Sequence, residues 1–187
     1  MLFRSRAGNV AGHTVLITGG GTIGQLTALI ARAFGASKVV LSDLSVGPRQ
    51  VALESGADAA LDALSDNFAA EAEALVPGGF DVVIEAAGSA QALGQALPAA
   101  RRGGTIVQVG TLPASVTLPL NMVMARELNL VGSFRFANAF ETSIDVLASR
   151  RIDITPLVTS VFELAELGNA MNVALGKTGS VKVQVAN

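Results

Sequence analysis

The chain contains no cysteine, tryptophan or tyrosine, and only one histidine, among its 187 residues. Without cysteine there are no disulfides and no thiolate ligands for a metal. The single histidine, His13, cannot supply a zinc cage by itself, and its position just before the first apolar run is typical of a turn residue. We therefore expect no metal site built from this chain alone.

An excess of either charge is also missing, because 13 Lys and Arg residues stand against 15 Asp and Glu residues. Such a balance gives no electrostatic footprint for nucleic acid or for a membrane surface. No apolar run reaches the ~18 residues of a membrane span, and the N-terminus lacks the apolar core of a signal peptide. The sequence therefore predicts a cytoplasmic protein that binds neither nucleic acid nor membrane.

A glycine-rich segment is present, with the spacing Gly19-x-Gly21-x-x-Gly24. It joins an apolar run at 14–17, typical of a buried parallel strand, to helical periodicity over 25–34. Between a strand and a helix this pattern is the fingerprint of dinucleotide binding. We expect Gly19 to permit a tight turn, Gly21 to leave room for a pyrophosphate, and Gly24 to let the helix pack closely on the sheet.

The free N–H groups of the first helical turn, near Thr22 and Ile23, are expected to hold the phosphates of the ligand. The next apolar run ends in Asp43, 19 residues beyond Gly24, close to the ~20 expected for the acid that binds the adenosine ribose. A carboxylate there repels a 2′-phosphate, so the pattern favours NAD over NADP. Arg49 could soften that preference, but we interpret it as a solvated helix charge.

Two competing classes of glycine loop are excluded by residues that the chain does not have. A phosphate loop for nucleoside triphosphates needs Lys after its last glycine, and Gln25 stands in that place. The short-chain reductases carry a Tyr-x-x-x-Lys pair, which a chain without tyrosine cannot form. The loop is therefore interpreted as a dinucleotide site of another class.

Apolar strands and helical segments alternate through most of the chain, which is typical of a doubly wound parallel sheet, the Rossmann arrangement of the α/β class. We expect residues 7–151 to form this dinucleotide-binding domain, residues 1–6 to be a non-native or frayed start, and residues 152–187 to complete the side of another domain. The predicted strands are 14–17, 38–43, 59–62, 80–85, 105–109 and 128–133, and the predicted helices are 25–34, 48–54, 68–76, 90–100 and 138–150.

Two segments depart from this rhythm. Residues 115–118 alternate in polarity like a short edge strand, and Pro119 ends the run. After residue 152, the pattern predicts a strand near Val158 and Val161, a helix over 163–175, and a last strand over 181–185.

At these motifs the chain resembles the medium-chain dehydrogenase/reductases, and within them the zinc-dependent polyol branch. It looks most like the L-idonate 5-dehydrogenases, with the sorbitol dehydrogenases as nearest relatives. The resemblance covers nearly the whole chain after about Arg6. The segments that carry it are Gly19-x-Gly21-x-x-Gly24, Asp43-Leu44-Ser45, Ser55-Gly56-Ala57-Asp58, Val107-Gln108-Val109-Gly110 and Glu127-Leu128-Asn129-Leu130-Val131-Gly132-Ser133-Phe134-Arg135-Phe136.

The resemblance implies an oxidoreductase that moves hydride between NAD and a secondary alcohol of a polyol or sugar acid. In that family, a zinc ion held by Cys, His and Glu of a catalytic domain polarises the alcohol oxygen. Because those ligands have no counterpart here, we expect no catalytic residue and no metal ligand in this chain, which resembles half of an enzyme and would be inactive by itself. Catalytic zinc is expected only in the full-length family enzyme.

The same resemblance implies a set of residues that contact the cofactor and the substrate. Arg135 would face the substrate pocket, where a cation attracts the carboxylate of a sugar acid; the alternative is a salt bridge to a structural acid. The implied NAD-binding residues are Gly19, Gly21, Thr22, Ile23, Gly24 and Lys182 at the pyrophosphate, Asp43 at the adenosine ribose, Ala86 and Gly88 between the two riboses, and Val109, Gly110, Ser133 and Phe134 at the nicotinamide end.

Relatives pair a short edge strand across a two-fold axis, so the resemblance implies a homodimer through Val116, Thr117 and Leu118. Two other functions remain open at this point. One is a free-standing NAD-binding module with a regulatory role. The other is an S-adenosylmethionine methyltransferase, which also uses a glycine loop and an acid after the second strand, although this chain has few aromatic residues to cage a sulfonium.

Overall fold

The computed structural model describes residues 6–135, 139–176 and 179–187. The predicted non-native or frayed start therefore lies outside the described residues, apart from Arg6. A six-stranded parallel sheet forms the centre of the fold, in the order β3-β2-β1-β4-β5-β6. Its strands are β1 (Thr14–Thr18), β2 (Lys38–Asp43), β3 (Ala59–Asp62), β4 (Phe80–Glu85), β5 (Ala100–Gln108) and β6 (Asn129–Gly132).

Helices connect these strands, as a parallel sheet requires. Their bounds agree with the predicted helices to within a few residues, and one short helix, α5, was not predicted. The helices are α1 (Thr22–Ala33), α2 (Val46–Glu54), α3 (Phe68–Leu75), α4 (Ala90–Ala99), α5 (Leu120–Ala125), α6 (Ala139–Ala148) and α7 (Leu167–Gly176). The prediction of a doubly wound α/β fold is confirmed.

Both faces of the sheet are buried, which explains why its central strands read as continuous apolar runs. Alternate residues of one strand enter different cores, so that Ile17 packs with Ile30 of α1 on one face. On the other face Leu16 packs with Phe68 of α3 and Leu93 of α4. The two helical layers thus cover both faces of the sheet and leave the carboxyl ends of its strands uncovered.

The predicted edge strand at 115–118 is wrong for the single chain, since these residues adopt no regular structure. The sheet ends at β6, so the backbone of this segment has no ladder partner among the described residues. Pro113 and Pro119 flank it and contribute no N–H groups. Leu118 instead packs against the core beneath α3 and α4.

The C-terminal segment forms a separate parallel pair of strands, β7 (Val158–Glu163) and β8 (Lys182–Ala186). Both strands were predicted. The helix expected from residue 163 begins later, at α7, because Leu164–Glu166 form a 3-10 turn that a capping box from Glu163 starts. Within the described ranges, no helix has the length and apolar character needed to cross a membrane.

Candidate functional site

β1 and β4 are neighbours at the middle of the sheet, where the strand order reverses. In doubly wound folds, ligands bind at such a point, outside the carboxyl ends of the strands. A cleft of about 630 Å³ opens there. Its walls are the loops after β1, β2 and β4, the first turns of α4, and Ala174, Ser180 and Val181 of the C-terminal segment.

The glycine loop between β1 and α1 follows a path that side chains would obstruct. Gly19 has a φ of +98°, and a Cβ there would lie 2.7 Å from the backbone nitrogen of Ala87. A Cβ on Gly24 would lie 1.8 Å from the carbonyl oxygen of Gly19, so the start of α1 packs directly on the loop. A Cβ on Gly21 would meet nothing within 4 Å. Gly21 therefore borders open space in the cleft, where a ligand can approach the backbone.

The first turn of α1, which contains Thr22 and Ile23, lies beside this open space. Gly21 is the N-cap and offers no side-chain acceptor, so no capping side chain takes up the N–H groups of the turn. The Thr22 hydroxyl donates a 2.7 Å hydrogen bond to the carbonyl oxygen of Val181. This bond joins the first turn of α1 to the C-terminal segment, a contact that the sequence did not predict.

Gln25 supports the loop from beneath, although its position was noted in the sequence only as the place of a missing lysine. The side chain is buried. Its amide nitrogen donates to the carbonyl oxygens of Gly20 at 3.1 Å and Pro48 at 2.7 Å. A polar residue within a buried helix face was the available signal, since such a group needs a partner.

Asp43 ends β2 at the wall of the cleft. Its Oδ2 accepts a 2.7 Å hydrogen bond from the N–H of Gly20, and its Oδ1 accepts one of 2.8 Å from the N–H of Ser45. These bonds fix the orientation of the carboxylate and leave lone pairs on both oxygens. The group is therefore held ready to accept hydrogen bonds from ligand hydroxyls.

Arg49 is not the solvated helix charge that we expected. Its side chain is only 16% exposed, and its Nη1 lies 2.9 Å from Oδ1 of Asp62. The same nitrogen donates to the carbonyl oxygen of Asp43 at 2.9 Å. The prediction failed because Asp62 ends the neighbouring strand β3, and this pairing across strands is invisible in the local sequence.

Glu85 is a buried carboxylate at the carboxyl end of β4 that sequence reasoning missed. Its Oε1 accepts a 2.6 Å hydrogen bond from the N–H of Gly88, whereas its Oε2 is buried without a partner. Burial raises the pKa of Glu85 above its ordinary value, against the opposing effect of the bond from Gly88. The signal in the sequence was the position of Glu85 in the strand. It lies on the same face as Val83, two residues earlier, and Val83 is buried.

The loops after β4 and β5 touch each other above Glu85. The N–H groups of Val109 and Gly110 both donate to the Glu85 carbonyl oxygen, at 2.8 and 2.9 Å. A Cβ on Gly110 would lie 2.3 Å from the backbone nitrogen of Gly88. Ala86 and Gly88 line the cleft, and Val109 and Gly110 form the loop behind them.

The remaining predicted contacts lie farther along the sheet edge and are more exposed. The N–H of Ser133 donates to the carbonyl oxygen of Gln108 at 2.9 Å, and Phe134 is 74% exposed. Arg135 adopts a φ of +59°, and its guanidinium lies 4.8 Å from the ring centre of Phe134. In the part of the chain that the structure describes, Arg135 makes this cation–π contact and no ion pair.

Lys182 is the first residue of β8 and is exposed, next to Val181 in the cleft wall. Its contact with a pyrophosphate stays a prediction, as do the contacts of Val109, Gly110, Ser133, Phe134 and Arg135. The structure brings Gly19, Gly21, Asp43, Ala86 and Gly88 together in one cleft, with Thr22, Ile23 and Gly24 in the adjoining first turn of α1.

Zinc does not fit the residues present. Among the residues that the structure describes, no three His, Asp or Glu side chains are grouped so that they could hold a metal ion, and the chain has no cysteine. His13 lies before β1 with a buried Nδ1 that has no hydrogen-bond partner. We therefore assign no zinc chemistry to any residue of this chain.

Comparison with known proteins gives consistent matches. Residues 22–149 match the family model of the zinc-binding dehydrogenases. The sorbitol dehydrogenase of Gallus gallus is 38% identical over 162 residues, which are 85% of this chain and 46% of that protein. The L-idonate 5-dehydrogenase of Vitis vinifera is 35% identical over 167 residues, which are 86% of this chain and 46% of that protein. The chain spans about half the length of the curated relatives it matches.

Solved structures agree with these matches. The L-idonate 5-dehydrogenase of Escherichia coli superposes with a TM-score of 0.89 at 30% identity, covering 100% of this chain and 53% of that one. A protein of Sinorhizobium meliloti described as a zinc-binding dehydrogenase, solved bound to NADP, superposes with a TM-score of 0.87 at 36% identity. That match covers 99% of this chain and 55% of the other.

Proposed function

The chain belongs to the zinc-binding dehydrogenase family, and we propose that it provides the NAD-binding part of an enzyme that oxidises a secondary alcohol of a polyol or sugar acid. The sorbitol and L-idonate dehydrogenases among its relatives support this substrate class. The family match also decides against the methyltransferase alternative.

The observation that carries the proposal is the combination of open space and free donors at the glycine loop. Gly21 faces a void, and the uncapped first turn of α1 lies beside it. A pyrophosphate in that space would accept hydrogen bonds from the N–H groups near Thr22 and Ile23, with the positive end of the helix dipole behind them. The residues present thus suit a dinucleotide.

We assign NAD rather than NADP as the cofactor on the strength of Asp43. Its carboxylate is oriented by two backbone N–H groups at the cleft wall, where it would accept hydrogen bonds from the two ribose hydroxyls. A 2′-phosphate in the same place would meet this negative charge at close range. One relative, the Sinorhizobium meliloti protein, was solved bound to NADP, so the assignment of NAD rests on Asp43 rather than on the family match.

When bound, NAD supplies the nicotinamide carbon that accepts hydride from the alcohol. The part of this chain is to bind and orient it. Gly19, Gly21, Thr22, Ile23, Gly24 and Lys182 would hold the pyrophosphate, Ala86 and Gly88 the middle of the molecule, and Val109, Gly110, Ser133 and Phe134 the nicotinamide end. Arg135 would attract the carboxylate of a sugar acid.

The division of the chain and its assembly belong to the same proposal. Residues 7–151 would be the cofactor domain, and residues 152–187 would complete the side of a catalytic domain. We further propose a homodimer in which residues 116–118 become a strand by pairing with a second copy. Among the described residues, β6 ends the sheet without a further strand, and such an open edge, which offers unpaired backbone groups, supports this idea. The cytoplasmic location stays a prediction.

Titration with NADH, NADPH and S-adenosylmethionine tests the proposal directly. We expect NADH to bind at least about tenfold more tightly than NADPH, followed through its own fluorescence or by calorimetry. Binding of S-adenosylmethionine alone, or of no nucleotide, would contradict the proposal. Oxidation of sorbitol or L-idonate with NAD would show that this chain is active by itself, whereas NADH binding without any activity is also compatible with a free-standing regulatory module.

A further inference from the structure

Asp62 lies close to the adenosine end of the cleft but outside its walls. It is paired in register with Asp43 across β2 and β3, so that the two acids end neighbouring strands at the same edge of the sheet. Only Asp43 reaches the cleft. The role of the second acid is therefore a separate question.

The Arg49 guanidinium lies between these two residues. Its Nη1 is 2.9 Å from the Asp62 carboxylate and 2.9 Å from the Asp43 carbonyl oxygen, with a weaker contact of 3.4 Å to the carbonyl oxygen of Leu44. Arg49 is thus the cation immediately behind the ribose-binding acid. The side chain of Asp62 is 42% exposed, whereas that of Arg49 is largely buried beneath it.

Asp62 is itself held in place. Its Oδ1 accepts a 2.9 Å hydrogen bond from the N–H of Leu64, in addition to the Arg49 contact. This N–H bond, followed by the Arg49 guanidinium, lowers the pKa of Asp62. The carboxylate therefore stays charged at neutral pH and keeps its hold on the arginine.

We propose that Asp62 is a specificity residue, which helps the site to reject NADP by holding the Arg49 guanidinium away from the ribose. The inference rests on the proposed function, since it assumes that adenosine ribose lies at Asp43. Asp43 excludes a 2′-phosphate by repulsion, and Asp62 holds a nearby cation, Arg49, that could compensate for it.

The chemistry of the arginine supports this assignment. A guanidinium binds phosphate through two parallel hydrogen bonds, and an arginine near the ribose is the usual means of accepting a 2′-phosphate. In this chain, the Asp62 carboxylate neutralises the Arg49 charge and occupies its Nη1. Releasing Arg49 would return both the charge and the donors to the vicinity of the ribose.

The test uses the full chain and the ratio of NADPH to NADH dissociation constants. D62N removes the charge but keeps an oxygen for the Leu64 N–H, so the turn after β3 is preserved. We expect D62N to improve NADPH binding relative to NADH by about threefold to fivefold, the range of one freed surface ion pair. D58N is the matched control, because Asp58 pairs with Arg32, and neither residue lines the cleft.

A double-mutant cycle separates Arg49 from a general change of charge. In the R49Q background, D62N should leave the ratio unchanged, because the cation to be released is gone. R49Q alone should also leave it unchanged, since Arg49 is already engaged. This second variant keeps the proposal testable even if D62N does not fold.

Each outcome can be interpreted. An unchanged ratio in D62N, an equal gain in D62N and D58N, or a gain that survives in the double variant would overturn the role of Asp62. A loss of NADPH affinity in R49Q alone would do the same. Failure of the proposed function looks different, because the wild-type chain would then bind neither nucleotide.

Discussion

The end of the cleft proposed for adenosine and the end proposed for nicotinamide are built in different ways. At the adenosine end, Gly20, Asp43 and Ser45 are joined by hydrogen bonds, and Gln25 supports the loop from a buried position. At the nicotinamide end, Phe134 is 74% exposed, and its ring contacts Arg135.

This difference separates the part of the cleft proposed to recognise the cofactor from the part proposed to lie near the reaction. The chain alone fixes the groups that would recognise the adenosine half of the cofactor, so these should be sensitive to substitution. Of the groups proposed to lie near the reaction, Phe134 and Arg135 are exposed, and they contact each other at the surface. Substitutions at the two ends should therefore differ in their effects on stability and binding.

The largest effect is expected from G24A, at the constrained end. The new Cβ would lie 1.8 Å from the carbonyl oxygen of Gly19, and a backbone atom cannot move aside as a flexible side chain can. We expect a loss of about 3 kcal/mol or more in the free energy of unfolding, the upper part of the range for overpacking, together with loss of NADH binding. Urea unfolding and NADH titration measure both quantities.

G94A is the matched control for G24A, because Gly94 is also a helical glycine and a Cβ there would meet nothing within 4 Å outside its own helix. Alanine should stabilise that helix by about 0.5–1 kcal/mol. A folded G24A variant of normal stability would show that the loop is not held by the contact between Gly19 and Gly24.

G21A should separate binding from folding at the same end. Because its Cβ would face open space, the free energy of unfolding should change little. The methyl group would, however, occupy the place of a pyrophosphate, and we expect NADH affinity to fall by about tenfold or more, equivalent to ~1.4 kcal/mol. Unchanged NADH affinity in a folded G21A variant would place the ligand elsewhere.

Much of this site could be predicted from sequence because its signals are local. The glycine spacing and the strand before it fixed the path of the loop, and Asp43 followed at the expected distance. The fold class came from alternating strands and helices, and the buried strands were apolar throughout because helices cover both faces of the sheet.

Features that depend on contacts between distant residues could not be predicted in this way. Arg49 reads as an exposed helix charge until β3 brings Asp62 beside it. The segment at 115–118 has strand-like alternation, but alternation gives no ladder partner, and the single chain has none for it among the described residues. Periodicity in the sequence shows which side of a segment is apolar. Strand pairing depends instead on which strand the topology of the fold places beside that segment.

Glu85 lies at the boundary between the two ends, and substituting it should have an effect of intermediate size. Burial raises its pKa, so the folded state binds a proton more tightly than the unfolded chain. The stability that this contributes is fully present below the ordinary carboxyl value of 4.5 and is lost as pH rises through the higher folded pKa. Wild type should therefore lose stability relative to E85Q as pH increases above 4.5.

Urea unfolding of both proteins over this pH range measures the difference, and comparison with E85Q cancels the other titrating groups. E85Q keeps an oxygen that can accept from the Gly88 N–H. E85A leaves that N–H unpaired and should be less stable than E85Q by about 1–3 kcal/mol at every pH. Parallel stability curves for wild type and E85Q would mean that the Glu85 carboxyl titrates alike in the folded and unfolded states.

The smallest effect is expected from F134A, at the open end. Because Phe134 is 74% exposed and its contact with Arg135 lies at the surface, its removal should change the free energy of unfolding by less than about 0.5 kcal/mol. F80A is the matched control, since Phe80 is fully buried and its truncation should cost about 3–5 kcal/mol. A loss of more than about 1 kcal/mol in F134A would be a third of the lower estimate for Phe80. Such a loss would mean that the nicotinamide end is packed within this chain, and the contrast between the two ends would fail.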